Sequence, residues 1–220
     1  MNLSDQIANQ LRDMIIQDKL SPGDRIRERQ ICKELHVSRT PLREALHMMA
    51  SEGLIDLIPN RGAVIAAPSP HEIADMLQVL GVLEAFAGER ACEFITQEEI
   101  NEIKALHYEM LAAFSRGDRL QYFKLNQSIH LAVVKAAHSE TLLSFHSQLN
   151  ARLYRIRYQS NLRNELWGSA VEEHNGLLDA LEKRDASKLS KLLREHLKST
   201  WEKVSDPMID PIEDREKAGE

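Results

Sequence analysis

A chain of 220 residues exceeds the usual domain size of roughly 100–150 residues, so two domains, one small and one larger, are expected. Its 43% hydrophobic and 28% charged residues exclude a disordered or collagen-like chain, and the net charge of −6 means that any nucleic-acid affinity must come from locally placed basic residues. Cys32 and Cys92 fall in separate expected domains and read as reduced thiols, which excludes a disulfide scaffold.

Residues 1–67 carry nine Lys/Arg against nine Asp/Glu, so the acidity belongs to the remainder of the chain. No basic start followed by an apolar run opens the sequence, since Asp5, Gln6, Asn9, Gln10, Arg12 and Asp13 interrupt it. The most apolar stretch, residues 73–87, contains Asp75, Gln78 and Glu84 and is too broken to span a bilayer. A cytoplasmic protein without membrane contact is expected.

In chain order, Ile7, Leu11, Met14 and Ile15 recur at spacings of three and four, which predicts an amphipathic helix over residues 4–19 with Ser4 as its N-cap. It stops at Ser21-Pro22-Gly23-Asp24. A shorter helix over residues 28–36 buries Ile31 and Leu35. Ser38 then caps a third helix over residues 39–52, with Leu42, Leu46 and Met49 inward, Pro41 tolerated in the first turn and Gly53 closing it. Residues 54–58 and 63–66 alternate as two short strands around Pro59-Asn60-Arg61-Gly62.

Three helices followed by a hairpin make a winged helix-turn-helix, whose third helix enters the major groove with its N-terminal residues toward base edges. Those residues are Ser38, Arg39, Thr40 and Arg43. Arginine can pair in bidentate fashion with guanine O6 and N7, and Arg39 and Arg43, four apart, share a face. Arg61 and Gly62 at the hairpin tip suit a wing contact to the sugar-phosphate chain. The competing reading is that these are solvated charges on a small helical domain.

The runs Leu20-Ser21-Pro22-Gly23-Asp24-Arg25-Ile26, Val37-Ser38-Arg39-Thr40-Pro41-Leu42-Arg43-Glu44-Ala45-Leu46, Glu52-Gly53-Leu54-Ile55 and Asn60-Arg61-Gly62-Ala63-Val64 resemble the winged-helix domain of the GntR family of bacterial regulators over nearly all of residues 8–66. The resemblance implies DNA contacts by Arg29, Ser38, Arg39, Thr40, Arg43, Arg61 and Gly62. His36 stands where the family usually has glycine, and histidine tolerates a left-handed backbone better than most residues.

Pro68-Ser69-Pro70 forms a short linker (68–70) after a first domain of residues 1–67. Residues 71–204 are repeatedly helical, with breaks near 96, 116–118, 138–139, 160–164 and 184–187, and Thr96-Gln97-Glu98-Glu99 has the pattern of a capping box. The fold class is thus mainly α: a winged helix-turn-helix followed by an antiparallel all-α bundle of six or seven helices. Residues 205–220, with Pro207, Pro211 and mixed charge, are expected to be a disordered tail.

Helix arithmetic brings four donors together. Asn126 and His130 lie one turn apart on one face, while His174 and His196 are each eleven residues from Asp185, so across a helical hairpin they stand at the same height. Three imidazoles and one oxygen donor suit a divalent transition metal, Zn, Ni or Mn. The bland alternative is a set of core or surface histidines, of which the chain has nine.

The segments Asn126-x-x-x-His130, Glu172-Glu173-His174-Asn175-x-Leu177-Leu178-x-Ala180-Leu181, Asp185-Ala186 and Arg194-Glu195-His196 are similar to the FCD effector domain of the FadR branch of the GntR family, over residues 71–203. That resemblance implies a divalent metal held by an Asp or Asn and three histidines, with a carboxylate effector completing the coordination. Asn126 is a weaker donor than carboxylate, so lower metal affinity is implied. Many members carry an arginine four residues before the glutamate matching Glu84, where this chain has Leu80, so either the effector is less acidic or another cation holds it; Arg152 and Arg155 are the candidates for such a cation. As a competing reading, each is a solvated or interhelical charge.

The expected function is a ligand-responsive repressor of transcription, a homodimer reading a palindromic DNA operator and binding a small carboxylate metabolite. Two other readings stand beside it: a metal sensor in which the ion is the signal, and a metal-dependent hydrolase. The hydrolase reading lacks any hydrolase motif, so no enzymatic activity is expected.

Overall fold

A computed structural model describes residues 2–59, 62–160 and 164–209 of the chain. Among them the chain divides into two compact units. Unit 1 comprises Met1–Ser69 together with Gln148–Arg155, and unit 2 the remainder. The first crossing of the chain falls after Ser69, and a second piece of unit 1, eight residues that the division at 68–70 does not include, is drawn from the middle of the helical segment.

Unit 1 is built on α1 (Leu3–Ile16), α2 (Glu28–Glu34), α3 (Arg39–Ser51), β1 (Ile55–Ile58) and β2 (Gly62–Ile65). The N-cap of α1 is Asn2 rather than Ser4: Asn2 and Asp5 form a reciprocal capping box, which satisfies two orphan donors. Ser4 instead donates its hydroxyl to Glu44 at 2.6 Å, tying α1 to α3. Ile7, Leu11, Leu42, Leu46 and Met49 are buried as their spacing predicts. The strands pair antiparallel with Ile55 opposite Ile65 and Ile58 opposite Gly62, and the inward residues Ile55, Ala63 and Ile65 close the core. His36 has φ 54°, the left-handed turn conformation its position requires.

The second piece of unit 1 packs Ala151 and Tyr154 against this core. Arg155 donates from Nε at 3.0 Å and Nη2 at 2.6 Å to Asp18. Gly53 turns the chain after α3 with φ +73°, and a Cβ there would lie 2.9 Å from Arg152 Cδ. Both the backbone sign and the close approach select glycine.

Unit 2 holds α4 (Pro70–Phe94), α5 (Gln97–Ser115), α6 (Arg119–Ala136), part of α7 (Glu140–Arg152), part of α8 (Tyr154–Gln159), α9 (Asn164–Glu182) and α10 (Ala186–Ile209). Seven helices are therefore described from Pro70 onward. The break that makes the seventh falls at Leu153, not in the 184–187 turn; it is a single fully buried leucine without Gly, Pro or polar residues to mark it. The Thr96–Glu99 capping box forms as read. Gly88 lets α4 and α10 approach closely, since a Cβ would meet Leu193 Cδ1 at 2.6 Å. The α9–α10 turn places Arg184 at φ 52°, with its guanidinium donating to the carbonyls of Cys92 and Ile95 at the end of α4.

Helix α10 continues to Ile209, so residues 205–209, read above as part of the disordered tail, are helical; Val204 and Ser205 are buried and carry the helix past the expected end. Residues 210–220 lie outside the described residues.

Gly53→Ala, which forces an L-residue into the left-handed region, is expected to destabilise the protein by about 1–2 kcal/mol. Chemical denaturation followed at constant m-value checks this; an unchanged midpoint would show that the turn relaxes freely.

Candidate functional site

Two sets of residues define the chemistry, one in each unit. In unit 1, Arg25, Arg27, Arg29, Arg39, Arg43 and Gly62 line one recess. Ser38, Arg39, Thr40 and Arg43 are all exposed at the start of α3, and Arg29 is exposed on α2. Ser38 occupies the N-cap position with extended backbone, but its side chain makes no capping bond. The first-turn N–H groups of α3 are therefore not satisfied by it and suit an external phosphate oxygen. Arg43 Nε donates to Glu28 Oε2 at 3.0 Å. Sequence reasoning did not single out this partner, fifteen residues away. Arg61 lies outside the described residues.

In unit 2 the helical arithmetic is realised. The rings of His130, His174 and His196 gather with centroids 5.0–5.3 Å apart, and one ligand nitrogen from each lies within 4.8 Å of the others. His130 projects from α6, His174 from α9 and His196 from α10, and all three are buried. Asn126, one turn before His130, is also buried. Its Oδ1, His130 Nε2 and both ring nitrogens of His174 have no hydrogen-bond partner. Such groups cost about 1–3 kcal/mol each when nothing satisfies them, so these buried atoms of Asn126, His130 and His174 are chemically suited to an ion that would satisfy them.

The other ring nitrogens are occupied. His130 Nδ1–H donates to Glu84 Oε2 at 2.6 Å, and His196 Nδ1–H donates to Glu173 Oε2 at 2.6 Å. Because an ionised carboxylate only accepts, these bonds place a proton on Nδ1 of both rings, and a neutral ring so held carries its lone pair on Nε2. Glu84, buried in α4, also accepts from His146 Nε2 at 3.1 Å and Arg157 Nη1 at 3.2 Å. Burial pushes the Glu84 carboxyl up, but His130 and Arg157 together hold it well below its ordinary value. Burial likewise raises Glu173, yet its bonds with His196 and Lys203 bring it down to about 2.

Burial lowers His130 to about 4 and His174 well below 6.5. At neutral pH His130 is therefore an uncharged donor to Glu84 and a competent metal ligand, and their contact is a hydrogen bond rather than an ion pair. Beside His130 and His174 sits a small apolar cavity of about 10 Å³, room for roughly one water, lined also by His107, Ile129, Val133, Leu177 and Leu193 among others.

Arg152 and Arg155, singled out as anion-holding candidates, are not part of this arrangement. Both belong to unit 1, Arg152 beside Gly53 and Arg155 on Asp18. The helical periodicity that placed them between the ligand-bearing helices could not show that α7 leaves unit 2 at residue 147. The buried cation of the site is instead Arg157, two residues further on. Glu84, Glu173, His146 and Arg157 were the residues missed; the only signal for Glu84 was a charge within the most apolar stretch of the chain.

Comparison with known proteins agrees with this geometry. The FCD domain matches residues 75–199, and the domain of bacterial regulatory proteins of the gntR family matches residues 3–65. The chain belongs to the GntR family of bacterial transcription regulators, in the FadR subfamily with a C-terminal FCD domain. It is a DNA-binding transcription regulator. Among its relatives is the transcriptional repressor RspR of Escherichia coli, 25% identical over 202 residues that span 92% of this chain and 89% of RspR. A probable D-xylose utilization operon transcriptional repressor of Paenarthrobacter nicotinovorans is 27% identical over 195 residues, 87% of this chain and 85% of that one. The structure of E. coli McbR/YncC shares the fold with a TM-score of 0.78 at 24% identity, covering 90% of this chain and 94% of that one. These relatives are regulators of transcription, not enzymes, which leaves the hydrolase reading without support. No helix among the described residues is long and apolar enough to cross a membrane.

The depressed histidines give a pH dependence with a definite sign. The unfolded chain takes up protons at these rings as the pH falls through 6.5, whereas the folded protein takes up none at His130 until about 4. Stability of the metal-free protein is thus fully present above pH 6.5 and is expected to fall, by up to about 1.4 kcal/mol per pH unit for each of His130 and His174, between pH 6.5 and 4. Urea denaturation in chelator across that range checks this; a flat profile from pH 7 to 5 would mean that the rings are not held neutral.

Proposed function

We propose that the protein is a metal-dependent, effector-responsive repressor that acts as a homodimer on a palindromic operator. The observation that carries the reading is the group of His130, His174 and His196, with unpartnered nitrogens on the first two, inside the FCD domain of a chain whose other unit is a winged helix-turn-helix. Two relatives described as repressors support the direction of control. A two-fold protein demands a two-fold site, and the dimer sets the spacing of the two half-sites.

Ser38, Arg39, Thr40 and Arg43 would read bases and phosphates from the start of α3, with Arg29 and Gly62 touching the backbone and Arg61 continuing the wing. Arg43 must exchange Glu28 for a guanine edge, so that carboxylate tunes its availability. In unit 2, three neutral imidazoles and the Asn126 carbonyl would hold Zn, Ni or Mn. The ion supplies positive charge with coordination positions to spare. Because none of the four donors is anionic, a carboxylate metabolite entering an open position would be favoured by the uncompensated charge of the dication.

To act as a switch the effector must bind one DNA-binding arrangement better than another, by about 1–3 kcal/mol for a typical coupling. The chain offers more than the linker for this. It passes between units at 69–70, 147–148 and 155–156, and the last crossing lies inside α8, where Arg155 is held by Asp18 in unit 1 and Arg157 by Glu84 in unit 2.

Arg39→Ala and Arg43→Ala are each expected to weaken specific operator binding by about 1–3 kcal/mol where the arginine pairs with guanine, with non-specific binding less affected. Fluorescence anisotropy on operator and scrambled duplexes checks this; equal losses on both would reassign the arginine to phosphate. The double variant His174→Ala/His196→Ala is expected to lose the stoichiometric metal that mass spectrometry or atomic emission finds in the wild-type protein. Metal content equal to wild type would refute the three-histidine site, and a change of operator affinity on chelation alone would make the ion itself the signal.

A further inference from the structure

The proposed donors are all neutral, yet two carboxylates stand directly behind them. Glu84 meets Nδ1 of His130 and Glu173 meets Nδ1 of His196, each at 2.6 Å, from two different helices, α4 and α9. Each carboxylate is in turn positioned by further donors. Glu84 is held by His146 and Arg157, and Glu173 by Ser199 Oγ at 3.2 Å and Lys203 Nζ at 3.3 Å. His174 has no counterpart, since neither of its nitrogens has a partner.

Resting on the metal-site reading above, we propose that Glu84 and Glu173 are positioning residues that lock His130 and His196 as Nδ1–H tautomers, leaving His174 as the one unanchored imidazole that closes on the ion. A neutral imidazole has two tautomers, and only one presents a lone pair at the required nitrogen. A carboxylate on Nδ1–H selects it, orients the ring and raises the basicity of Nε2. Two rings fixed in this way define two edges of the coordination shape before any ion arrives.

Nitrogens bound to one ion at about 2.0–2.1 Å lie about 3.3 Å apart in a tetrahedron, a spacing that a group lying within 4.8 Å accommodates. His130 and His196 are tethered by charge-assisted bonds, and His174 carries no such tether. The charge pattern bears on the ligand class. Arg157 faces Glu84 and Lys203 faces Glu173, so each outer carboxylate already has a cation beside it, and the two positive charges of the ion are left for an anionic ligand to balance.

The test uses the full-length protein with Glu84→Gln and Glu173→Gln, which keep shape and remove charge. Zinc affinity is read by competition with a chromogenic chelator, and the tautomers of the metal-free protein by nitrogen-15 NMR of labelled histidine. Each variant is expected to bind zinc 10- to 100-fold more weakly than wild type. The wild-type spectrum is expected to show Nδ1–H at two of the buried rings, one of which loses that tautomeric bias in Glu173→Gln. Glu173 is partly exposed, so its variant keeps the fold even where Glu84→Gln, which removes the carboxylate facing Arg157, does not. Wild-type zinc affinity in Glu173→Gln, or Nε2–H at His196 in the metal-free protein, overturns the proposal. Failure of the wild-type protein to bind zinc at all overturns instead the metal site on which it rests.

Discussion

An imidazole with no hydrogen-bond partner on either nitrogen does not sit cheaply in a closed helical bundle. His174 is in that position, surrounded by His130 and His196, and nothing in the apolar packing of α9 against its neighbours requires a histidine there. A leucine of similar volume would fill the space without the desolvation cost of two polar atoms. The rest of unit 2 is arranged around this constraint: α6, α9 and α10 each contribute one ring, and α4 contributes the carboxylate that anchors the first of them.

Burial makes this arrangement work. Desolvation alone would protonate Glu84 and deprotonate the histidines, and the structure accepts the second outcome while opposing the first. Arg157 and the two imidazole N–H donors keep Glu84 ionised, and an ionised Glu84 is what keeps His130 in one tautomer. The buried charge is therefore matched locally, as buried charges must be. The pair has a structural cost in a largely apolar stretch of α4, and its position between a metal-type ligand and a helix that also carries Arg155 argues that the cost is met for function and not for stability.

Much of this was legible in the sequence, and the parts that were not share a cause. The winged helix could be read because its signals are local: a cap, a proline in a first turn, a glycine after a helix, alternating strand residues. The three histidines could be read because helical spacing and the symmetry of a hairpin about Asp185 are arithmetic. Leu153 ends α7 without any residue that breaks helices, so the division of that segment, and with it the placement of Arg152 and Arg155 in unit 1, depended on tertiary packing that no periodicity records. Ser4 fails as a cap for a related reason, because Glu44, forty residues away, competes for its hydroxyl.

Glu173 shows the limit most sharply. On the helical wheel it lies well round the cylinder from His174, and spacing along α9 alone pairs it with no histidine. Across the hairpin, however, the same rotation turns Glu173 toward α10, where it meets His196 rather than its sequence neighbour. A site assembled from several helices is specified by which faces meet, and a residue one position from a ligand can serve the ligand opposite. The two outer carboxylates therefore come from helices that could not have been paired with their histidines by spacing, although each of the histidines could be found by spacing alone.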